Sequence, residues 1–316
     1  MDLDQRLAIS YYKPIAAINE PHHVYLVQHQ ETKKIAIKKV LDVYNLAVYA
    51  ELYRNPVAGT PRIINYYEEA GQLTVIEEYI SGTSLQDKIS HADIAPSDML
   101  QYMLDLCAIL EQLHQHNPAI IHRDVKPSNV IITSYNRAVL LDFNAAKYHT
   151  AAKDSDTILL GTQGYAAPEQ YGFGQSSPQT DIYSIGILLK EMAEASHCQN
   201  PYIDAVTAKC TQMNPAERYR SIGELRQAFL ANRGVFPYTH ADQAFTGDLS
   251  GSSSNRSNAQ TQNDPGTSAN HMQFAPPGFR SKTPWKMVVA LLTYIFLAWF
   301  CLSMKVNNTF GAALWV

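Results

Sequence analysis

Cysteine is scarce in this 316-residue chain, and the four present (Cys107, Cys198, Cys210 and Cys301) are scattered without paired spacing. That pattern argues against a disulfide framework or a zinc site and fits a reducing compartment. Histidines cluster only at His22-His23 and at His114/His116, without cysteine or acidic partners at ligand spacing, and read as surface or loop residues rather than metal ligands. Positive charge is not in excess: the formal net charge is -4 and no basic stripe with interleaved aromatics occurs, so nucleic acid is not an expected partner. The stretch Met1-Asp2-Leu3-Asp4 lacks an apolar core, so a secretory signal peptide is not expected and the first domain is expected to stay where it is made. Hydrophobic residues make up 46% of the chain, ample for a sizeable core.

The stretch that organises the chain is Ile121-His122-Arg123-Asp124-Val125-Lys126-Pro127-Ser128-Asn129, followed by Val130-Ile131-Ile132 and by Leu140-Leu141-Asp142-Phe143-Asn144. Asp124, Lys126 and Asn129 are set on one loop, and Asp142 at the end of the next strand, among short β-branched runs. Phosphoryl transfer would account for such clustering. It needs a carboxylate to orient a hydroxyl, a cation for the moving phosphoryl group, and an amide plus a carboxylate to hold magnesium. The stretch resembles the catalytic loop of protein kinases, H-R-D-x-x-x-x-N followed by D-F-G. The order Lys126-Pro127-Ser128-Asn129 is similar to the serine/threonine class. Gly161-Thr162-Gln163-Gly164-Tyr165-Ala166-Ala167-Pro168-Glu169 resembles that family's substrate-docking segment, and Glu169 to Asp181 looks especially like its bacterial (Hanks-type) members.

The resemblance implies an α+β, bilobal protein-kinase-like fold over residues 8–233. It comprises a small β-rich lobe with one helix at about 8–78 and a large helical lobe at about 82–233. Asp124 would orient or accept the substrate hydroxyl proton, and Lys126 would neutralise the transferring phosphoryl group. Asn129 and Asp142 would hold Mg²⁺, or Mn²⁺ in its place, and Arg123 would await an activation-loop phosphate on Thr150, Ser155, Thr157 or Thr162. In the small lobe Ile35-Ala36-Ile37-Lys38 is similar to the V-A-I-K strand, so Lys38 would hold the ATP phosphates with Glu51 as its ion-pair partner. Backbone groups of Glu78 and Ile80 would bond adenine, under a lid that includes Ala17 and Val24. Glu169 would pair with Arg218, and Asp181 would brace the catalytic loop from the start of a buried helix.

Departures from the family pattern lie mostly in the small lobe. Ala17, Asn19 and His22 stand where three glycines usually sit, so the lid is expected to be looser, with Asn19 the best suited to a left-handed backbone. Glu77 occupies the position that usually faces the back of the adenine pocket; a pocket acid and a strand-end residue turned to solvent are both open readings. Asn144 replaces the glycine of D-F-G, tolerable because asparagine visits positive φ readily.

From about 238 to 284 the composition shifts to Ser, Asn, Gln, Gly, Thr and Pro, which predicts a disordered linker. Met287 to Met304 then runs without a charge; at about 18 residues it is nearly long enough for a single transmembrane helix, leaving a short extracytoplasmic tail at 305–316. Arg280, Lys282 and Lys286 precede it and Lys305 follows, which puts the kinase domain on the cytoplasmic side of the cell membrane. The expected function is a membrane-anchored kinase acting on protein Ser/Thr with ATP, in bacterial signalling, with a homodimer able to phosphorylate in trans. The alternative is a pseudokinase serving as a membrane-tethered nucleotide-sensing or scaffold module.

Overall fold

In the computed structural model, residues 3–149, 162–172, 174–198 and 200–235 are described. The linker at 238–284, the apolar run at 287–304 and the hydroxyls of Thr150, Ser155 and Thr157 lie outside them. Among the described residues no helix is long and apolar enough to cross a membrane.

The first part of the chain builds an antiparallel sheet from β1 (Tyr12–Asn19), β2 (Val24–His29), β3 (Ile35–Leu41), β4 (Ile63–Glu69) and β5 (Gln72–Glu78), in the order β1-β2-β3-β5-β4. Two helices pack on it rather than the one expected. Helix α1 (Leu3–Ser10) lies against β4 and β1, and Ile9 joins Val27, Ala36 and Ile76 in a small separate core. Its sequence gives little sign of this, since Ile9 is the only residue of Gln5–Ser10 that is fully buried. Helix α2 (Leu46–Arg54) begins at Asn45, whose side chain accepts from the Val48 N–H at 3.4 Å, and buries Val48, Tyr49 and Leu52.

After β5 come β6 (Gly82–Ser84), α3 (Leu85–Ser90) and α4 (Pro96–His114). Helix α4 starts on a proline at its first turn and buries Met99, Tyr102, Met103, Leu106, Leu110 and Leu113 along one stripe. It delivers the chain to β7 (Ile120–Ile121), the catalytic-type loop, and then β8 (Val130–Thr133) and β9 (Ala138–Leu140). The short β10 (Lys147–Tyr148) pairs back on β7 and so fixes the segment that follows Asp142.

Helix α5 (Pro178–Ala195) runs through the core, with Ile182, Ile185, Leu188, Leu189 and Met192 inaccessible, as the apolar run Ile182 to Leu189 predicts, and its exposed residues, Lys190 and Glu194, lie in its C-terminal half. Helices α6 (Pro201–Cys210) and α7 (Ile222–Ala231) complete the lobe. Gly186 permits the close approach of α5 to α6: a Cβ there would come within 2.4 Å of the Cys210 Cβ. The expected Glu169–Arg218 pair is formed and buried, at 2.8 Å.

Candidate active site

The catalytic-type loop takes its shape from one buried carboxylate. Asp181, in the first turn of α5, accepts the main-chain N–H groups of His122 at 2.9 Å and Arg123 at 2.8 Å, and lies 2.9 Å from His114 Nε2. Arg123 is thereby held at φ 70, outside the usual region for a non-glycine residue. His122 lies 3.0 Å through Nε2 from the Leu141 carbonyl and receives the Asp124 N–H at Nδ1, which fixes its tautomer as Nε2–H. Its ring packs edge-on against Phe143 at 5.0 Å, joining the loop to the segment that carries Asp142.

Burial would raise the Asp181 carboxyl pKa, but the hydrogen bond and charge of His114, with the backbone donors, bring it below the ordinary value. The sign follows from linkage: the folded pKa is depressed, so the group stabilises the fold above its unfolded pKa near 4 and that contribution is lost as pH falls through the folded value. Asp181→Asn is expected to cost roughly 1.5–3 kcal/mol at neutral pH and to flatten the decline in stability below about pH 4. Denaturant melts across that range check both effects; an unchanged acid slope would contradict them.

Asp124, Lys126 and Thr162 form a closed triangle. Lys126 Nζ lies 2.8 Å from Asp124 Oδ2 and donates to Thr162 Oγ1 at 2.6 Å, while the Thr162 hydroxyl donates to Asp124 Oδ1 at 2.7 Å. Burial would raise the Asp124 pKa; hydrogen bonds from Lys126 and Thr162 and the Lys126 charge overcome it, and the carboxyl lies below its ordinary value. A carboxylate held in its charged form by these donors is placed to orient a hydroxyl. Asn129 Nδ2 donates to the Asp124 carbonyl at 2.9 Å and to its Oδ2 at 3.0 Å. Both amide hydrogens are thus used, leaving the amide oxygen as the atom available to a cation.

The chain brings these groups to a cavity of about 600 Å³, lined by Ile18, Val24, Lys39, Glu77, Asn129 and Asp142, together with Lys126, Asn19, Glu78 and Ile80. That size lies within the usual range of small-molecule sites. A second depression of about 380 Å³, lined by Asp124, Lys126, Asp142 and Thr162, adjoins the first and shares Lys126, Asp142 and Asn144 with it. Asp142 adopts φ 66. Among the described residues no group of three or more His, Cys, Asp or Glu side chains is gathered as for a metal. One carboxylate and one amide oxygen still fit Mg²⁺, which is commonly held by one or two carboxylates plus the substrate's phosphates.

The β3 lysine in this cavity is Lys39, not Lys38. Lys39 Nζ is 2.8 Å from Glu77 Oε1 and 3.5 Å from Asp142 Oδ1. Lys38 pairs across the ladder with Ile76, on the sheet face that carries Ala36 and Ile76, and does not line the cavity. Strand alternation makes the two positions mutually exclusive: one neighbour faces the cleft and the next faces away. Burial would lower the Lys39 pKa, but the Glu77 and Asp142 carboxylates more than offset it, and the net shift is upward. Glu77, in turn, is pushed up by burial, with Lys39 pulling the other way.

Glu51 is placed elsewhere as well. Its Oε1 lies 3.3 Å from His116 Nδ1 and accepts from Asn55 Nδ2 at 2.9 Å, and among the described residues no ion pair joins it to Lys38 or Lys39. The α2 residue that reaches the site is Tyr49, whose hydroxyl donates to Asn144 Oδ1 at 2.7 Å. In the lid, Ala17 is an exposed β1 residue outside the cavity lining, where Ile18 and Asn19 stand instead. Asn19 is extended at φ -145, and the left-handed residue of that turn is His23 at φ 51. Asn144 likewise is not left-handed; the positive φ of that segment belongs to Asp142.

Compared with known families, residues 22–229 match the protein kinase domain. The chain is 30% identical over 227 residues to the serine/threonine-protein kinase PknB of Mycolicibacterium smegmatis, covering 60% of this chain and 36% of that one. It is 32% identical over 207 residues to serine/threonine-protein kinase D of Synechocystis, covering 56% and 40%. To a leucine-rich repeat receptor-like serine/threonine-protein kinase of Arabidopsis thaliana it is 38% identical over 136 residues, covering 41% and 16%. The chain therefore spans well under half the length of these curated relatives.

Proposed function

Because this chain belongs to the protein kinase family, we propose that it is a serine/threonine protein kinase moving the γ-phosphoryl group of ATP to protein hydroxyls. The observation that carries the reading is the convergence of Lys39, Lys126, Asn129 and Asp142 on one cavity, with Asp124 lining an adjoining depression that shares Lys126 and Asp142. On this reading ATP enters the larger cavity, its base beside Glu78 and Ile80 and its phosphates toward Lys39. The acceptor hydroxyl arrives through the smaller depression, where Asp124 orients it. The Thr162 hydroxyl, within 2.7 Å of Asp124 and Lys126, occupies a place of the same chemistry. Lys126 offsets charge on the group in flight. A divalent cation such as Mg²⁺, held by the Asp142 carboxylate and the Asn129 amide oxygen, would neutralise the phosphates.

The linker and the uncharged run at 287–304 support a tethered enzyme, and the basic residues Arg280, Lys282 and Lys286 before that run support a cytoplasmic kinase domain. A signalling role, protein substrates and a homodimer acting in trans belong to the same proposal.

Full-length protein incubated with Mg²⁺ and γ-labelled ATP is expected to acquire label on serine or threonine. Lys39→Met is expected to lower labelling by at least about a hundredfold, the scale of losing one charged contact to a transition state, while Lys38→Met stays within about threefold of the wild type. Absence of labelling in the wild type would overturn the enzyme reading, leaving a nucleotide-sensing module if nucleotide still binds and a tethered scaffold if it does not. The reverse order of the two lysine variants would restore Lys38 to the site.

A further inference from the structure

Kinase chemistry of this kind asks for a carboxylate that holds the phosphate-binding lysine in place. The helix beside the sheet supplies none here, since Glu51 points to His116 and to its own helix end. We propose, resting on the phosphotransferase reading above, that Glu77 of β5 is the positioning residue for Lys39.

The geometry is specific. Ile37 faces Glu77 directly in the β3–β5 ladder and Lys39 faces Val75, so Lys39 and Glu77 are diagonal neighbours on the same face of one sheet. Their side chains are 8% and 10% exposed, which excludes most water from the 2.8 Å contact. Both line the cavity. The second carboxylate near Lys39, that of Asp142, is farther at 3.5 Å and more open at 29%, as befits a group shared with a cation.

Burying two charges is costly unless the pairing is close, and removing one partner leaves an uncompensated charge; the role assigned to this pair is positional. Here the task is to aim the Lys39 ammonium at the cavity while leaving its remaining donors for phosphate. Because both partners belong to adjacent strands, the pair is assembled by the sheet itself and does not wait for α2 to move. Helix α2 is tied instead to the Asp142 segment through Tyr49 and Asn144.

The test compares Glu77→Gln, Glu77→Asp and Glu51→Gln in the full-length protein, reading the Kd for Mg-ATP by calorimetry, and KM and kcat for labelling, with a thermal melt for each. Glu77→Gln is expected to raise Kd and KM for Mg-ATP by about tenfold to a hundredfold, the cost of a misplaced contact group. Glu77→Asp should recover part of that loss because it keeps the charge, and Glu51→Gln should change Kd and KM less than threefold. A larger loss in Glu51→Gln, or an unchanged Kd in Glu77→Gln, overturns the assignment. If Glu77→Gln does not fold, the Glu51→Gln arm decides alone, since a tenfold loss there places the lysine's partner on α2. A wild type that binds Mg-ATP without transferring phosphate overturns the kinase reading, while the Kd comparison still decides the role of Glu77.

Discussion

Full-length protein carrying Asp124→Asn is expected to bind Mg-ATP as the wild type does and to transfer the phosphoryl group about 10²–10⁴-fold more slowly, the usual contribution of a positioned acid–base group. Binding is spared because Asp124 stands apart from the larger cavity, which Lys39, Asn129 and Asp142 line. Transfer suffers for two reasons. The amide loses the charge that holds Lys126 at 2.8 Å, and it can no longer accept a hydroxyl proton. The amide is nearly isosteric and the bond from Asn129 Nδ2 to the main-chain carbonyl of residue 124 survives, whereas the bond it makes to Oδ2 is lost where the amide nitrogen takes that place. Single-turnover labelling alongside nucleotide titration separates the two effects, and equal rates in variant and wild type would remove Asp124 from the reaction.

The largest effect on stability is expected at the other end of the large lobe. Arg218 donates to both oxygens of Glu169, at 2.8 and 2.9 Å, and to the carbonyls of Gln179 and Gln212, each at 2.8 Å. Thr180 adds a donor to Glu169 at 2.8 Å. The side chains are 0% and 4% exposed, so removing one partner strands a charge in the interior. Arg218→Ala is therefore expected to destabilise the domain by about 3–5 kcal/mol, lowering Tm by roughly 10 °C for a domain of this size. The double variant Arg218→Met/Glu169→Leu, which removes both charges, should cost less than either truncation. Calorimetric melts of the three proteins check the order, and a double variant worse than Arg218→Ala would show that the pair's worth lies in its hydrogen bonds rather than in charge compensation.

How much of this was legible in the sequence depended on how locally each feature is encoded. The loop from His122 to Asn129, Asp142, and the pairing of Glu169 with Arg218 announce themselves because their spacing is fixed by a short stretch or by a motif with several constrained positions. The buried helix α5 is legible for a different reason, since Ile182 to Leu189 leaves no polar face. The choice between Lys38 and Lys39 is not local. It depends on which face of β3 packs with Ile76 and Ala36 and which turns to the cleft, and that is set by pairing with β2 and β5 far along the chain. Glu51 and Tyr49 pose the same problem on a helix of nine residues, where a modest rotation exchanges the group that faces the site. Glu77 could not be resolved from its neighbours because its burial follows from the lysine it meets. The lid is the clearest departure: the left-handed backbone expected at Asn19 falls on His23.

The tight contact of α5 with α6 at Gly186 has a consequence for chemical labelling. Cys210, against that glycine, has its thiol pushed up to about 12 mainly by burial, and Cys107 in α4 is shifted up by the same cause. Thiolate is the reactive form, so both are inert while the helices stay together. An alkylating dye reaching Cys210 would therefore report transient separation of these two helices, turning a packing detail into a built-in gauge of how often the large lobe breathes.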